Sequence, residues 1–542
     1  MADLTKLPQA AAGCMPAGVT DQHGKDAFEV RFGTATLEAS KTGSVSHPTN
    51  NDEALPDKSG TYTKCLKQKD SGLVDLTAFT KFRAALAAPA KGTAFEVAGM
   101  MGAGRPLNGP LGAFALAPAG ADSQAFGAPT VPAPPSVSSK EYATELVELY
   151  WASLLRDVAF TQYETNATAI AAANELTQLK VHYAGPLDKG AVTPKLLFRG
   201  GFTDPTKTFF DEQFGPYISQ FAIQPTALGA QPIDQKITTY AAGTDYMTTL
   251  PDWNLIQNGS DPTAPLITNP QRHYLYNGRA LGSFSHVDQL YQAYFTAYLA
   301  MQSLGVPANN TSPYKNFKNQ QAFGTFGGPD IAATLAAVAR AALNAVWYQK
   351  WIVHLRHRPE SGGGLVHLRL TPGSPVTDAQ VDPIVLNSEA LKLSHLRYGS
   401  YLLSQAFPEG SPAHPAYPTG HGTVAGACIT VLKFFFEGST KFSSLAGPPL
   451  VPSADGTMLE PYTGLDQGDM TVNGELHKIA HNISFGHGIH AGIHWRSDTD
   501  YSILLGEAVA LTFLQDQAFI YEENFAIQLK KLDGTTATIK NF

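Results

Sequence analysis

The sequence predicts a mainly α-helical fold with long loops, a coil-rich N-terminal segment and a C-terminal β-hairpin. Three observations carry this expectation. From Ser138 onward, apolar residues recur at helical spacing in one stretch after another. Residues 1–137 are instead dominated by Gly, Ala, Pro, Ser and Thr, and close on Pro-Ala-Pro-Pro at 132–135. Near the end, Asp533-Gly534 sits inside the run Phe525–Ile539, the composition of a tight hairpin turn.

Taken in order, residues 1–137 are expected to be coil wrapped on the rest of the chain or a flexible arm, with no assigned chemistry. Within them, alternation of Phe28, Val30 and Phe32 predicts a strand over Asp26–Leu37, and Thr77–Ala87 predicts a short helix. Ser138-x-x-Glu141 is a capping-box pattern, and Tyr142, Leu146, Leu149, Tyr150 and Val158 continue it into a long helix. Thr161–Lys180 is an Ala-rich second helix; its Asn166-Ala-Thr168 sequon, without an export signal, is taken as chance. Residues 181–284 are irregular, with turns at Gly185-Pro186, Gly215-Pro216 and Asn258-Gly259, and long loops of this kind are often functional or interfacial. Helices are expected again at His286–Leu304 and Pro329–His354, the latter broken by Pro359 and Gly362-Gly363-Gly364. Further helices are predicted over 388–406 and 421–437, and one or two over Asn473–Phe513. The organisation expected is therefore an N-terminal segment, 1–137, and a helical domain, 138–542, carrying the hairpin 525–539.

The 542 residues suffice for three or four ordinary domains or for one large helical enzyme domain. The net charge of −8 and the lack of a long basic run argue against a nucleic-acid partner. Cys14, Cys65 and Cys428 are odd in number and far apart, so neither a disulfide framework nor a Cys-based zinc site is indicated. Met1–Gly18 lacks a basic start followed by an apolar core, and no run approaches roughly 18 uninterrupted apolar residues. A soluble chain without an evident export signal or membrane segment is expected.

Three clusters remain. Lys350, Trp351, His354, Arg356, His357 and Arg358 crowd cations at a helix C-terminus, either as a dipole-complementing end or as an anion clamp. His414-Pro-Ala-Tyr-Pro-Thr-Gly-His421 is a rigid turn opening into a helix. It is either a Pro-Gly entry with Thr419 as cap, or a helix N-terminus offering its N–H groups to a tetrahedral oxyanion. Finally, His477, His481, His487, His490 and His494 fall within 18 positions. The pairs His477-x3-His481 and His490-x3-His494 could hold a divalent metal, though no acidic motif accompanies them; His477 and His481 are the first candidates for helix packing. One task unites the clusters. An oxyanion needs charged donors, backbone N–H groups, one imidazole at the central atom and another to handle protons.

Lys350-x7-Arg358-Pro359, Pro418-Thr419-Gly420-His421 and Gly492-x-His494-x3-Asp498 resemble a known three-part signature. It is shared by vanadium-dependent haloperoxidases and acid phosphatases of the type 2 phosphatidic acid phosphatase superfamily. The Lys-Trp-x-Val-His-x3-Arg-Pro-Glu wording at 350–360, and His414 seven residues before His421, are most similar to red-algal bromoperoxidases. The similarity runs from about Ser138 to the hairpin.

The resemblance implies two four-helix bundles, a vanadate cofactor and a homo-oligomer. Hydrogen peroxide and a halide, with bromide the expected one, would give hypohalous acid, and a small organic molecule is a further candidate substrate. His494 would bond the metal, with Asp498 supporting the same helix, and His421 would be the acid–base residue. Lys350, Arg358, Thr419 Oγ and the Gly420 N–H would hold the vanadate oxygens, and Lys350 would polarise the peroxide. His414 matches the extra histidine of the bromoperoxidases, and Asp288 is a candidate for the acid that orients a clamp residue.

Three positions depart from the family wording. Thr419 stands for Ser, Trp347 stands where the red-algal members carry Arg and the fungal chloroperoxidases Trp, and Gly488 stands where an arginine precedes the histidine ligand. His487 is the candidate replacement for that arginine, although an imidazole lacks its two-pronged permanent charge. Phosphate-ester hydrolysis in the same pocket, with His494 as nucleophile, and oxyanion binding with little turnover are the alternative functions.

Overall fold

Small polar residues set the helix starts. In the computed structural model, which describes residues 15, 18–41, 45–117, 119–200, 212–378 and 380–542, Asp21 caps α1 (Gln22–Ala39) and Asp75 caps α2 (Leu76–Ala87). Ser139 caps α3 (Lys140–Leu155) and Asn166 caps α4 (Ala167–Gln178), each side chain accepting from a first-turn backbone N–H. Cys14 and most of the stretch searched for an export signal lie outside the described residues. The chain continues through β1 (Thr226–Leu228), β2 (Gln231–Ile233), β3 (Ile237–Tyr240), α5 (Leu250–Gln257), β4 (Thr268–His273) and α6 (Gly278–His286). Then come α7 (Gln292–Ser303), α8 (Gly328–Tyr348) running on into a π-helical turn at Gln349–His354, and α9 (Pro359–Arg369). They are followed by α10 (Pro383–Asn387), α11 (Glu389–Tyr398), α12 (Gly420–Phe435), β5 (Leu450–Pro452) and β6 (Leu459–Pro461). The last elements are α13 (Val472–Phe485), a second π turn at Gly486–His490, α14 (Arg496–Ala518), β7 (Ala526–Lys530) and β8 (Thr536–Lys540).

The fold is mainly helical, with strands confined to antiparallel pairs β1/β2, β3/β4, β5/β6 and β7/β8. The hairpin β7/β8 pairs Ala526 with Lys540 and Lys530 with Thr536, and Gly534 adopts φ +78° in its turn. At the centre α12 packs most extensively on α14 and α8, and next on α13. Close approach of α12 and α14 requires glycine on both sides. A Cβ on Gly426 would lie 2.0 Å from the Ile503 carbonyl, and one on Gly506 would lie 2.0 Å from that of Thr423. A second core joins α3, α4, α9, α10 and α11 around Leu146, Trp151, Leu365, Leu391 and Trp495. A third packs Tyr62, Leu66, Phe79 and Phe82 against Trp351 and Leu355, binding residues before 137 to the turn after α8. Among the described residues one helix, Gly328–His354, is long and apolar enough to cross a membrane by length and composition; half of that apolar window is buried inside the protein.

Several expectations are corrected. Asp26–Leu37 is helix, not strand, because Phe28 and Phe32 satisfy the i,i+4 spacing of a helix as well as alternation, and their rings stack at 6.4 Å. The cap of α3 is Ser139; Ser138 bonds Ser136 instead. His286 ends α6 and α7 begins only at Gln292, and the irregular 181–284 stretch conceals α5 and α6. Residues 388–406 are helical only to Tyr398, where Gly399 turns left-handed at φ +69°. Pro359 and the three glycines do not break a helix but make one. Proline at N1 suits a helix start, and the glycines of α9 let large neighbours approach. A Cβ on Gly363 would lie 2.5 Å from the Leu403 nitrogen, and one on Gly364 would lie 2.1 Å from the Trp253 ring. Helices Leu76–Ala87 and Gly420–Phe435, two helices (α13 and α14) where one or two were expected over 473–513, and the C-terminal hairpin follow the sequence expectation, although α14 runs on to Ala518.

Candidate active site

Segments far apart in the chain converge on one cavity of about 400 Å³, among them the start of α12, the end of α8, the end of α6 with the residues after it, the π turn after α13 with the residues before α14, and the loop before Pro415. Its walls include Trp347, His414, Gly420, His421, His487 and His494. Lys350, Arg358 and Thr419 lie directly behind this wall, all fully buried.

The orientation of His494 is set from behind. Asp498, one helical turn on in α14, places Oδ2 2.9 Å from His494 Nδ1 and 3.1 Å from the Trp495 backbone nitrogen. Its Oδ1 accepts from Arg356 Nη1 at 2.7 Å, and Arg356 is also held by Glu145 at 3.0 Å and by Ser497 Oγ at 2.8 Å. Nδ1 therefore carries the proton, and Nε2 presents a lone pair, which accepts from Arg358 Nη1 at 2.8 Å. Arg358 further donates to the carbonyls of His414 and Ile493 and reaches the His414 ring at 3.0 Å. Lys350 Nζ donates to the carbonyls of Pro415 and Ala416 at 2.9 and 2.7 Å.

Neither Lys350 nor Arg358 forms an ion pair among the described residues, although both are buried. The consequence is electrostatic. Burial, and secondly the charge of Arg358, pushes Lys350 well below its ordinary value, and burial pulls Arg358 down to about 10. His414 and His494 are likewise depressed, first by burial and then by Arg358. Two buried basic groups with no direct carboxylate partner among the described residues favour an anion at this wall.

The opening of α12 adds to this. Among the described residues the Thr419 side chain makes no cap; its hydroxyl lies 3.5 Å from that of Thr499 and its backbone nitrogen donates to the Asp498 carbonyl. The expectation of a capping threonine is thus not met, and the helix begins with its positive end at the cavity wall. His421 Nε2 lies 3.0 Å from Asp288 Oδ1. Asp288 accordingly orients the facing imidazole, not a clamp cation as the sequence suggested.

His487 is brought into the site and Gly488 is not. The His487 ring lies 3.8 Å from that of His421 and 5.9 Å from that of His494, and its buried Nδ1 has no hydrogen-bond partner among the described residues. Burial, then His421, depresses it well below its ordinary value. At Gly488 a Cβ would already stand 3.1 Å from the His494 Cβ, so a side chain there would press on His494. Trp347 packs at 4.8 Å on the His414 ring while its Nε1 donates to the Gly109 carbonyl.

The other histidines serve elsewhere. The His490 ring lies against Phe160, Phe198 and Tyr217, and His481 Nδ1 pairs with Glu212 at 2.7 Å. Neither i,i+4 pair forms a metal cluster among the described residues. The sequence marks Arg356 only as part of the cation cluster, and its role behind His494 emerges from its contact with Asp498; it gives no sign of Arg105, His286 and Glu409 on the cavity wall. Arg105 sits in a Gly- and Pro-rich segment with no local signal to mark it.

Comparison with known proteins gives a consistent answer. No protein-family model matches the chain. A vanadium-dependent bromoperoxidase from Ascophyllum nodosum is 31% identical over 94% of this chain and 91% of its own length. One from Corallina pilulifera is 30% identical over 78% of this chain and 77% of its own. The homohexameric structure of the second vanadate-dependent bromoperoxidase of Ascophyllum nodosum superposes with a TM-score of 0.84. That match is at 28% identity and covers 99% of this chain and 94% of the other.

Proposed function

We infer the reaction from a plain premise: the chain belongs to the vanadium-dependent bromoperoxidase family. It is a vanadate-dependent peroxidase that uses hydrogen peroxide to oxidise a halide, bromide in its relatives, to hypohalous acid. Like the hexameric Ascophyllum protein, it works as a homo-oligomer.

The residues fit an oxyanion of this kind. Two buried cations lack a carboxylate partner among the described residues, one buried histidine nitrogen is unpartnered, and a helix N-terminus is left uncapped by a side chain. When bound, vanadate supplies an electrophilic centre at which peroxide is activated toward the halide. His494 offers its Nε2 lone pair as the metal ligand, because Asp498 keeps the proton on Nδ1. Lys350, Arg358, the Thr419 hydroxyl and the Gly420 N–H would hold the oxyanion oxygens, the two basic side chains offsetting its charge, with His487 in the place of an arginine. Lys350 would also polarise the peroxide. His421, steadied through Nε2 by Asp288, leaves Nδ1 to hold or release a proton. His414 and Trp347 form the side of the cavity where the halide is selected.

The observation that carries this reading is the convergence of unpaired Arg358 on the lone-pair nitrogen of His494. Purified protein, with and without added orthovanadate, is assayed in parallel for peroxide-dependent bromination and for phosphate-ester hydrolysis. Bromination that rises with vanadate is the expected result. Efficient hydrolysis that vanadate inhibits, without bromination, would overturn it.

A further inference from the structure

A second hydrogen-bonded group lies on the wall of the same cavity. His286, the last residue of α6, places Nε2 2.6 Å from Glu409 Oε1, and its Nδ1 lies 2.5 Å from the Tyr240 hydroxyl of β3. Its ring is stacked on Phe407 at 3.8 Å and 6°. His286 and Glu409 line the cavity together with His421 and His494, yet retain 19% and 22% exposure where His494 has 1%. The pair is thus more exposed than His421, Asp288 and His494 on the same wall.

The reaction has a use for such a group. Peroxide, halide and one proton give hypohalous acid and water: the O–O bond breaks and the halide loses two electrons. One oxygen leaves on the halogen and the other leaves as water, which takes up the proton. Every turnover must therefore import a proton to a cavity whose inner wall is backed by the buried Lys350 and Arg358.

Resting on the peroxidase reading above, we propose that the His286–Glu409 pair is the proton-supply group of the cavity, taking protons from solvent and passing them toward His421. The groups facing His286 suit the task. Tyr240 meets Nδ1 from β3, Glu409 meets Nε2 from the loop after α11, and Asp288 follows two residues on beside His421. Arg105, from the N-terminal segment, donates to the Glu409 carbonyl, and Lys64 does the same from behind. Burial would raise the Glu409 carboxyl, but the contact with His286, aided by Arg105, holds it below the ordinary value, so Glu409 stays ionised beside the imidazole that exchanges the proton. Across the cavity, the His487 ring lies 3.8 Å from that of His421.

The test uses the full chain as wild type, Glu409→Gln, Glu409→Asp and His286→Gln, each saturated with orthovanadate, with the vanadate Kd measured separately by equilibrium dialysis. In Glu409→Gln and His286→Gln the vanadate Kd and the halide KM are expected to stay within about twofold, since neither residue holds the anion. Their kcat should fall at least about tenfold near pH 8 but far less near pH 5, where solvent protons are abundant. Glu409→Asp should keep most of the alkaline activity, and added imidazole should restore part of it to His286→Gln. A pH profile of kcat superimposable in shape on that of the wild type would overturn the proton route while leaving the peroxidase reading intact. A wild type that neither binds vanadate nor brominates would overturn both.

Discussion

Replacing Asp498 by Asn tests how the site prepares His494. The carboxylate serves two donors at once, Arg356 on Oδ1 and His494 Nδ1 with the Trp495 N–H on Oδ2. Asn keeps the shape but has only one acceptor oxygen. If that oxygen faces Arg356, its NH2 meets Nδ1, and His494 must move its proton to Nε2, the nitrogen needed as ligand. If it faces His494, the NH2 opposes the guanidinium. The stability cost is that of one hydrogen bond to a charged group, about 1.5–3 kcal/mol, because Glu145 and Ser497 still hold Arg356. Loss of a partner of this kind lowers metal affinity about 10–100-fold, or about 1.4–2.7 kcal/mol. Equilibrium dialysis of orthovanadate gives the affinity, and a thermal melt confirms that the variant is folded. A folded Asp498→Asn chain with wild-type vanadate affinity would refute the reasoning.

Other expectations follow from the same contacts. His487→Arg should tighten orthovanadate binding by about tenfold, since a permanent two-pronged cation replaces a depressed imidazole, whereas Gly488→Arg should weaken it by crowding His494; unchanged affinity in the first would count against His487 as the arginine equivalent. Burial holds His354, His357 and His490 down at about 3, while unfolded imidazoles titrate near 6.5. Between these values the unfolded chain binds more protons, so stability rises with pH across the window and is lost as pH falls, by up to about 1.4 kcal/mol per unit for each histidine. His354→Leu should flatten that dependence in melts taken from about pH 4 to 7, and a slope equal to the wild type's would contradict the assignment. Gly363→Ala gains about 1 kcal/mol of helix propensity but drives a Cβ into the Leu403 backbone, so a net loss of about 1–3 kcal/mol is expected by chemical denaturation. A stabilised variant would show that α9 can move away.

What the sequence made legible follows the range of the forces involved. Periodicity located α3, α8, α12 and α14 because each buries an apolar face against neighbours that demand the same spacing. It failed at α1, where Phe28 and Phe32 fit both periods, and at α9, where the glycines record close packing against Leu403 and Trp253, partners distant in sequence. That Lys350, Arg358, His414, His421 and His494 meet at one cavity was legible because an oxyanion calls for those residue types in short motifs. Arg356 stood in the same basic run, but its function depends on meeting Glu145 and Asp498, one more than two hundred positions before it and the other well over a hundred after. Arg105, Glu409 and His286 carried no local signature, since each reaches the cavity from a loop or a helix end shaped by tertiary contacts.

The central claim is that buried, unpaired cations and the Nε2 lone pair of His494 make this chain a vanadate enzyme. Titrating the vanadate-free protein with orthovanadate, while following peroxide-dependent bromination, tests it most directly. Activity should be near zero at the start, saturate at a single vanadate per chain, and be absent from His494→Ala at every concentration. Full activity before vanadate is added, or in His494→Ala, would contradict the account.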